Sequence, residues 1–506
     1  MFGLQVYLFS HITNTLRMAL SQERGNEMPS SPAVIGVDSS TQSTKAVLVD
    51  AASGQVLATG RAAHTVSGEA GARESDPEQW WRALAGAVTE ALEGFDSRAV
   101  TGIAVAGQQH GLVVLDPAGR PLRPALLWND TRSAPQAAAL TDGLGADGWL
   151  ARTGSVPVAS MTAAKWQWLR EHEPRTAEAA AAVRLPHDFL TERLGGTAAT
   201  DPGDASGTCW YSTATGAYDP ELLDLLGLDP ARLSAVAPTG ATRVGSLTAR
   251  AARELGLPEG IAVAAGTGDN MAAAVGLGLG GRGLLDHPVV SLGTSGTVFA
   301  ATRTRPATAA LAGFAATDGT YLPLGCTLNC TLAVDKVAGL LGLDREDAAP
   351  GGEAVLLPYL DGERTPDLPG ASGLLTGLRH ATTRQQLLGA AYEGAAFTLL
   401  RALDELPRTN GEAPLRLIGG GARGRTWVET VRRLSGRPVV LPRTAELVAL
   451  GAAALAAGAA GGEDAVAVAT AWGGGQGETL PPVERDRATW DRIGAVLPQL
   501  GAPGPR

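Results

Sequence analysis

Two acids and three small-residue turns are the groups in this chain best placed, by type and spacing, to do chemistry. Asp38 opens the turn Asp38-Ser39-Ser40-Thr41 directly after the apolar run Val34 to Val37. Gly293-Thr294-Ser295-Gly296 and Gly419-Gly420-Gly421-Ala422 likewise follow apolar, strand-like runs. Such turns let backbone N–H groups and hydroxyls approach a polyphosphate closely, although each alone also serves as a plain turn. None has Walker A spacing, which excludes a P-loop enzyme. Three together, with Asp38 in the first, favour a nucleotide. An Asp beside a hydroxyl-rich phosphate turn suits Mg2+, usually held through water.

The second acid, Asp269, falls where the strand-like run from Ile261 gives way to a helical pattern. It reads either as a helix cap or as a general base that accepts a hydroxyl proton during phosphoryl transfer. A helix N-terminus should hold its pKa low. Gln108-Gln109-His110 follows a strand end, where hydrogen bonds could grip a small polyol, and a structural His is the plainer alternative. Trp80, Trp81, Trp128, Trp166 and Trp168 read as core or cleft-wall aromatics.

The elements that must position these groups follow from the pattern. Val34–Val37, Lys45–Val49 and a strand from near Gln55 form a meander, and Ser75-Asp76-Pro77 opens a helix running toward Leu92. Val100–Ala106 is a further strand, after which Leu112–Leu115 resumes the β pattern. The same grammar returns at Val289–Leu292, the Gly293–Gly296 turn and Thr297–Ala301. Setting Thr41 against Thr294 aligns the two hairpins at an offset of 253 residues. This predicts an α/β architecture of two duplicated domains facing each other. The expected division is an N-terminal extension over 1–30, domains over 31–255 and 256–480, and a C-terminal helix (Asp486 to Leu497) and tail within 481–506. Met28 is an alternative start, and the extension is expected to lie outside the core.

Composition sets the outer limits. A chain of 506 residues, 44% hydrophobic, is long enough for about two compact domains. Its 41 Lys plus Arg against 51 Asp plus Glu give −10, which argues against a nucleic-acid partner. No apolar run reaches the roughly 18 residues needed to span a bilayer. Cys209, Cys326 and Cys330 form no metal-ligand pattern and read as thiols in a reducing cytoplasm.

With these residues in view, the chain resembles the FGGY carbohydrate kinases over about residues 34 to 460. The segment Ser160-Met161-Thr162-Ala163-Ala164-Lys165-Trp166-Gln167-Trp168-Leu169-Arg170-Glu171-His172 is similar to the first family signature. Gly373 through Leu378, followed by Gln386 through Glu393, is similar to the second. Further matches are Gly107-Gln108-Gln109-His110-Gly111, Leu127-Trp128-Asn129-Asp130, Ser291 through Gly296, and Leu357 through Pro366. The resemblance implies an actin-like ATPase fold of two ribonuclease-H-like domains around a central cleft. It also implies ATP-dependent phosphorylation of a ketopentose, D-xylulose to D-xylulose 5-phosphate, and a homodimer as a plausible assembly. By position it makes Asp269 the catalytic base and Asp38 the acid beside the Mg2+–phosphate site. Ser40, Thr41, Gly293 and Thr294 become phosphate contacts, and Gly420, Gly421 and Ala422 the loop beneath the adenosine of ATP. Gln109, His110 and Asn270 become sugar contacts.

The sequence departs from the family pattern at Ser40, Ser43, Gln109 and Arg425, and Lys45 has two readings. Ser40 and Ser43 stand where glycines are common, so the Ser40 contact is in question. Gln109 replaces a frequent Met and would make the sugar pocket more polar. Arg425 stands near the adenosine loop where a small or amide residue is usual. Lys45 either reaches a phosphate or is a solvated strand lysine. A kinase for another ketose or polyol, such as ribulose, is the nearest alternative. A non-catalytic sugar sensor on the same fold is a different class, which the presence of both Asp38 and Asp269 disfavours.

Overall fold

The computed structural model describes residues 31–500 apart from 307, 367, 369 and 408–412. The expected N-terminal extension and the last six residues of the tail lie outside the described residues. β1 (Ala33–Ser39), β2 (Ser43–Asp50) and β3 (Val56–Ala63) form the expected antiparallel meander. Asp76 caps α1 (Pro77–Ala91) by accepting from the Glu78 N–H. α1 leads to β4 (Val100–Gly107), which lies parallel to β1. After a largely helical insertion, β5 (Arg243–Ser246), β6 (Ala262–Ala264) and β7 (Thr267–Gly268) complete the first sheet. α2 (Asp269–Gly276) follows at once.

The second sheet begins with β8 (Val289–Leu292), β9 (Gly296–Phe299), β10 (Ala312–Ala315) and β11 (Tyr321–Thr327). It continues through α3 (Arg384–Asp404), β12 (Leu415–Ile418), α4 (Arg425–Ser435), β13 (Val439–Pro442), α5 (Leu447–Gly461) and β14 (Gly477–Leu480). In the first sheet the order β3-β2-β1-β4-β6-β5 matches β11-β9-β8-β12-β13-β14 in the second, including which pairs are parallel. The duplication read from two turns therefore extends to five strands of each sheet, while the sixth precedes its neighbour in the chain in the first sheet and follows it in the second.

One expectation needs correction here. The division at 255/256 falls between β5 and β6, which pair antiparallel within the first sheet. The strand pairing therefore carries the first sheet through Gly268, and the second starts at Val289. Leu112–Leu115 resumes the β pattern as expected, outside the main sheet. Its strand, Val113–Leu115, pairs instead with Ala182–Arg184 in a separate two-stranded sheet.

β1 is buried along its whole length because both faces are covered. Ala33, Ile35 and Val37 pack with Trp80 and Leu84 of α1, while Val34 packs with Ala449 and Ala453 of α5. α5 is apolar all round for this reason, and no single described helix is long and apolar enough to cross a membrane. Gly36 lets α5 approach: a Cβ there would sit 2.0 Å from the Ala449 carbonyl oxygen and 2.4 Å from the Ala453 nitrogen. Backbone cannot yield as a side chain would. Gly36→Ala is expected to lower the thermal midpoint by more than about 5 °C in a melting experiment. An unchanged midpoint would mean that α5 is not held against β1 in this way.

Candidate active site

The strand register gathers the first group of residues. Asp38 on β1 lies opposite Ala106 of β4, and Ala106 lies opposite Thr267 of β7. All three strands are parallel, so their C-terminal ends open together, the place where α/β sheets bind ligands. Asp269 follows β7 by one residue. Its carboxylate Oδ1 accepts from the Asn270 N–H at 2.8 Å and from Asn270 Nδ2 at 2.9 Å. Asn270 Nδ2 also donates to Gln109 Oε1 at 3.0 Å, which ties the sugar-contact candidate at the end of β4 to the candidate base. Gln109 Nε2 and both amide atoms of Gln108 are buried without a protein partner, a state that native cores avoid unless a ligand or water completes it.

His110 is buried in the left-handed region at φ 65°, and its Nδ1 lies 3.0 Å from the Gly207 carbonyl. Burial, with the nearby Arg364 and Lys165 charges, drives its pKa well below 6.5. A neutral ring must donate from Nδ1 to that carbonyl, leaving Nε2 as an acceptor. Phe314 packs against the ring with centroids 5.4 Å apart.

Asp269 overturns one expectation. Its pKa is not held low by the helix end: burial first, then the charge of Asp38, raise it to about 7. Gly268, not Asp269, occupies the cap position, and the helix N–H that the Asp269 side chain accepts is that of Asn270, the next residue. Desolvation beside a second carboxylate therefore outweighs the dipole of a helix only eight residues long.

Asp38 is also raised, by burial, against the lowering effects of Ser40 and Lys45. Ser40 Oγ donates to Asp38 Oδ1 at 2.6 Å, and the Ser40 N–H donates to the Ser43 carbonyl. With both donors engaged inside the turn, Ser40 orients Asp38. Thr41 Oγ1 accepts from Trp128 Nε1 at 3.1 Å, so its own O–H remains able to donate. Lys45 pairs with Glu446, immediately ahead of α5. That partner was not foreseen, since nothing in the sequence flagged Glu446.

The second sheet presents its turns in the same way. β8 and β12 are parallel with Ser291 opposite Ile418, which brings the Gly293 and Gly419 turns side by side. A Cβ on Gly421 would lie 2.8 Å from Leu292 Cβ, while Gly420 faces open space. The Gly293 carbonyl accepts from both the N–H and the hydroxyl of Thr331, at 3.1 and 2.8 Å. Across a trans peptide the Thr294 N–H points the opposite way, which suits a bound anion. Ala422 completes this loop ahead of α4, and Arg425 stands exposed at the start of that helix, 4.0 Å from Glu346. Cys326 on β11 lies within electrostatic reach of both Arg364 and Asp269, so this strand of the second sheet is near the end of the first that carries Asp269. Arg364 was not singled out in the sequence, because nothing local marks a loop arginine as facing another domain.

Similarity to known proteins follows the same two halves. Residues 33–276 match the N-terminal domain of the FGGY family of carbohydrate kinases, and residues 289–460 match its C-terminal domain. A xylulose kinase from Streptomyces coelicolor is 59% identical over 471 residues, covering 92% of this chain and 96% of that protein. The crystal structure of a xylulose kinase from Bifidobacterium adolescentis is 33% identical, with a TM-score of 0.76 over 92% of this chain and 99% of that one. A glycerol kinase from Plasmodium falciparum, solved with ADP, shares the fold at a TM-score of 0.81 and 18% identity over 94% of this chain and all of that one.

Proposed function

The chain belongs to the FGGY family of carbohydrate kinases, and from that premise we infer that it transfers the terminal phosphoryl group of ATP to D-xylulose, giving D-xylulose 5-phosphate. Its fold is the actin-like pair of ribonuclease-H-like domains. The observation that carries the chemistry is Asp269, a carboxylate with its pKa raised to about 7 beside the polar cluster of Gln109, His110 and Asn270. The 59% identity to a xylulose kinase supports the choice of sugar.

Asp269 takes the proton from the terminal hydroxyl of the sugar as the phosphorus–oxygen bond forms. A base with a pKa near the working pH does this efficiently, because it is ionised yet still holds the proton firmly. His110 Nε2 and Gln109 Nε2 supply an acceptor and a donor for the remaining hydroxyls. Asn270, bonded to both Gln109 and Asp269, keeps the sugar contacts and the base in one frame. The Thr41 hydroxyl and the Gly293–Thr294 turn hold the phosphates, and Gly420, Gly421 and Ala422 lie under the adenosine. Bringing the two turns together excludes water and leaves positioning and charge as the main sources of rate.

Asp38 fits Mg2+: it is an oxygen donor, buried, oriented by Ser40 and costly to ionise without a cation. Bound there, the ion would neutralise charge on the transferring phosphate. The three buried, unpaired cysteines fit a reducing compartment such as the cytoplasm.

The test is ADP release from Mg2+–ATP with D-xylulose, D-ribulose, L-ribulose, glycerol or no sugar. D-xylulose is expected to exceed every other acceptor by at least ~10-fold in kcat/KM. A different winning sugar would overturn the substrate and point to Gln109 as the residue that changed the choice. No turnover with any sugar would overturn the kinase reading.

A further inference from the structure

A buried loop behind the base ties the parts of the site together. Asp201 caps the short helix Pro202–Ala205, with Oδ1 accepting from the Asp204 N–H and Oδ2 from the Gly203 N–H, each at 3.0 Å. The same Oδ2 also accepts from the Thr267 hydroxyl at 2.7 Å. Thr267 belongs to β7 and lies two residues before Asp269. Asp201 and Thr267 are both fully buried. The fit is close: a Cβ on Gly203 would lie 2.8 Å from Asp201 Oδ2 and from Met271 Cγ of α2.

The loop continues to the other participants. Ser206 Oγ accepts from the Ala315 N–H of β10, across to the second sheet, at 3.0 Å. The Gly207 carbonyl takes the His110 Nδ1 proton. Beneath it, His187 Nδ1 meets Asp204 Oδ2 at 2.6 Å. A cap alone asks only for a short polar side chain. It does not ask for a buried carboxylate bonded to the strand that delivers the base.

We infer that Asp201 and Thr267 are positioning residues, whose hydrogen bond fixes the backbone from Thr267 to Asp269 and so sets the carboxylate against the acceptor hydroxyl. The inference rests on Asp269 being the base. It does not depend on which sugar is phosphorylated. Misplacing a reacting group by about 1 Å costs on the order of 10²-fold in rate. Losing the bond should therefore fall on kcat and spare sugar affinity, because Gln109 and His110 sit on the turn that follows β4.

Thr267→Val keeps the shape and removes the donor, and Thr267→Ser keeps the donor and removes a methyl. Thr267→Val is expected to lower kcat about 10²-fold with KM for D-xylulose within about threefold, while Thr267→Ser recovers turnover to within about fivefold of wild type. The carboxyl 13C resonance of Asp269, assigned by its loss in Asp269→Asn, gives a readout that needs no substrate. Water admitted beside a loosened base should lower its titration midpoint by about one unit in Thr267→Val and leave it in place in Thr267→Ser. Should Thr267→Val not fold, Thr267→Ala carries the same comparison. An unchanged kcat, or equal losses in Thr267→Val and Thr267→Ser, would overturn the inference. So would an Asp269 titration identical in all the proteins. If the wild type leaves D-xylulose unphosphorylated, the substrate reading fails, and the titration still decides this one.

Discussion

Asp269→Asn is expected to lower kcat by about 10³-fold or more while D-xylulose and ATP still bind, measured by ADP release and by calorimetry on the same protein. Asn keeps the size of Asp269 and can still accept from the Asn270 N–H. What disappears is the capacity to take a proton. The same substitution should stabilise the protein in a defined pH window. The folded-state pKa of Asp269 is about 7, against 3.8 for the unperturbed group. Between those values the unfolded chain has released a proton that the folded chain retains, so stability falls as pH rises from about 4 to about 7. Above pH 7 the folded protein carries the whole cost of a desolvated carboxylate beside Asp38. Removing it should be worth roughly 2–4 kcal/mol at pH 8 and almost nothing at pH 4. A variant that is inactive yet melts higher at pH 8 than at pH 4, relative to wild type, is the signature of a base kept ready at the expense of stability. Retained turnover would remove Asp269 from the base role, and a uniform stability change would remove the electrostatic account.

How much of this was legible in the sequence depends on the range of the interaction. The hairpins around Asp38 and Gly293 could be read because turn chemistry and alternation are local, and the structure places them at equivalent positions of two matching sheets. Asp269, Asn270, Gln109 and His110 converge because β4 and β7 are adjacent and parallel. Charge environment was not legible. The low pKa expected of Asp269 followed from its own helix, whereas Asp38, 231 positions earlier in the chain, and loss of water decide the matter. The same holds for Lys45, whose partner Glu446 lies in the other half of the sequence, and for Asp201, whose local signal, Asp before Pro, says only that a helix begins. The domain division failed for a related reason: β6 and β7 arrive after a long insertion, and pairing with β4 is a fact of topology that composition does not carry.

The second large effect concerns Asp38. Asp38→Asn is expected to reduce turnover by about 10²-fold or more at pH 8, because a cation held there would stabilise the transferring phosphate by several kcal/mol. It should also raise the Mg2+ concentration needed for half-maximal rate. The substitution acts on the base in the opposite direction. Asp38 raises the Asp269 pKa by repulsion, so removing its charge stabilises the Asp269 carboxylate and moves its titration to lower pH. The variant would therefore hold a more fully ionised base at pH 7 and still be slow. That combination separates the roles, since a loss caused by general misfolding would not improve ionisation of the base. Ser40→Ala supplies the intermediate case: Asp38 keeps its charge but loses the 2.6 Å hydroxyl that orients it. Its Mg2+ requirement should rise with little movement of the Asp269 titration. Turnover of Asp38→Asn equal to wild type at pH 8 would leave Asp38 as a structural acid and place the cation elsewhere.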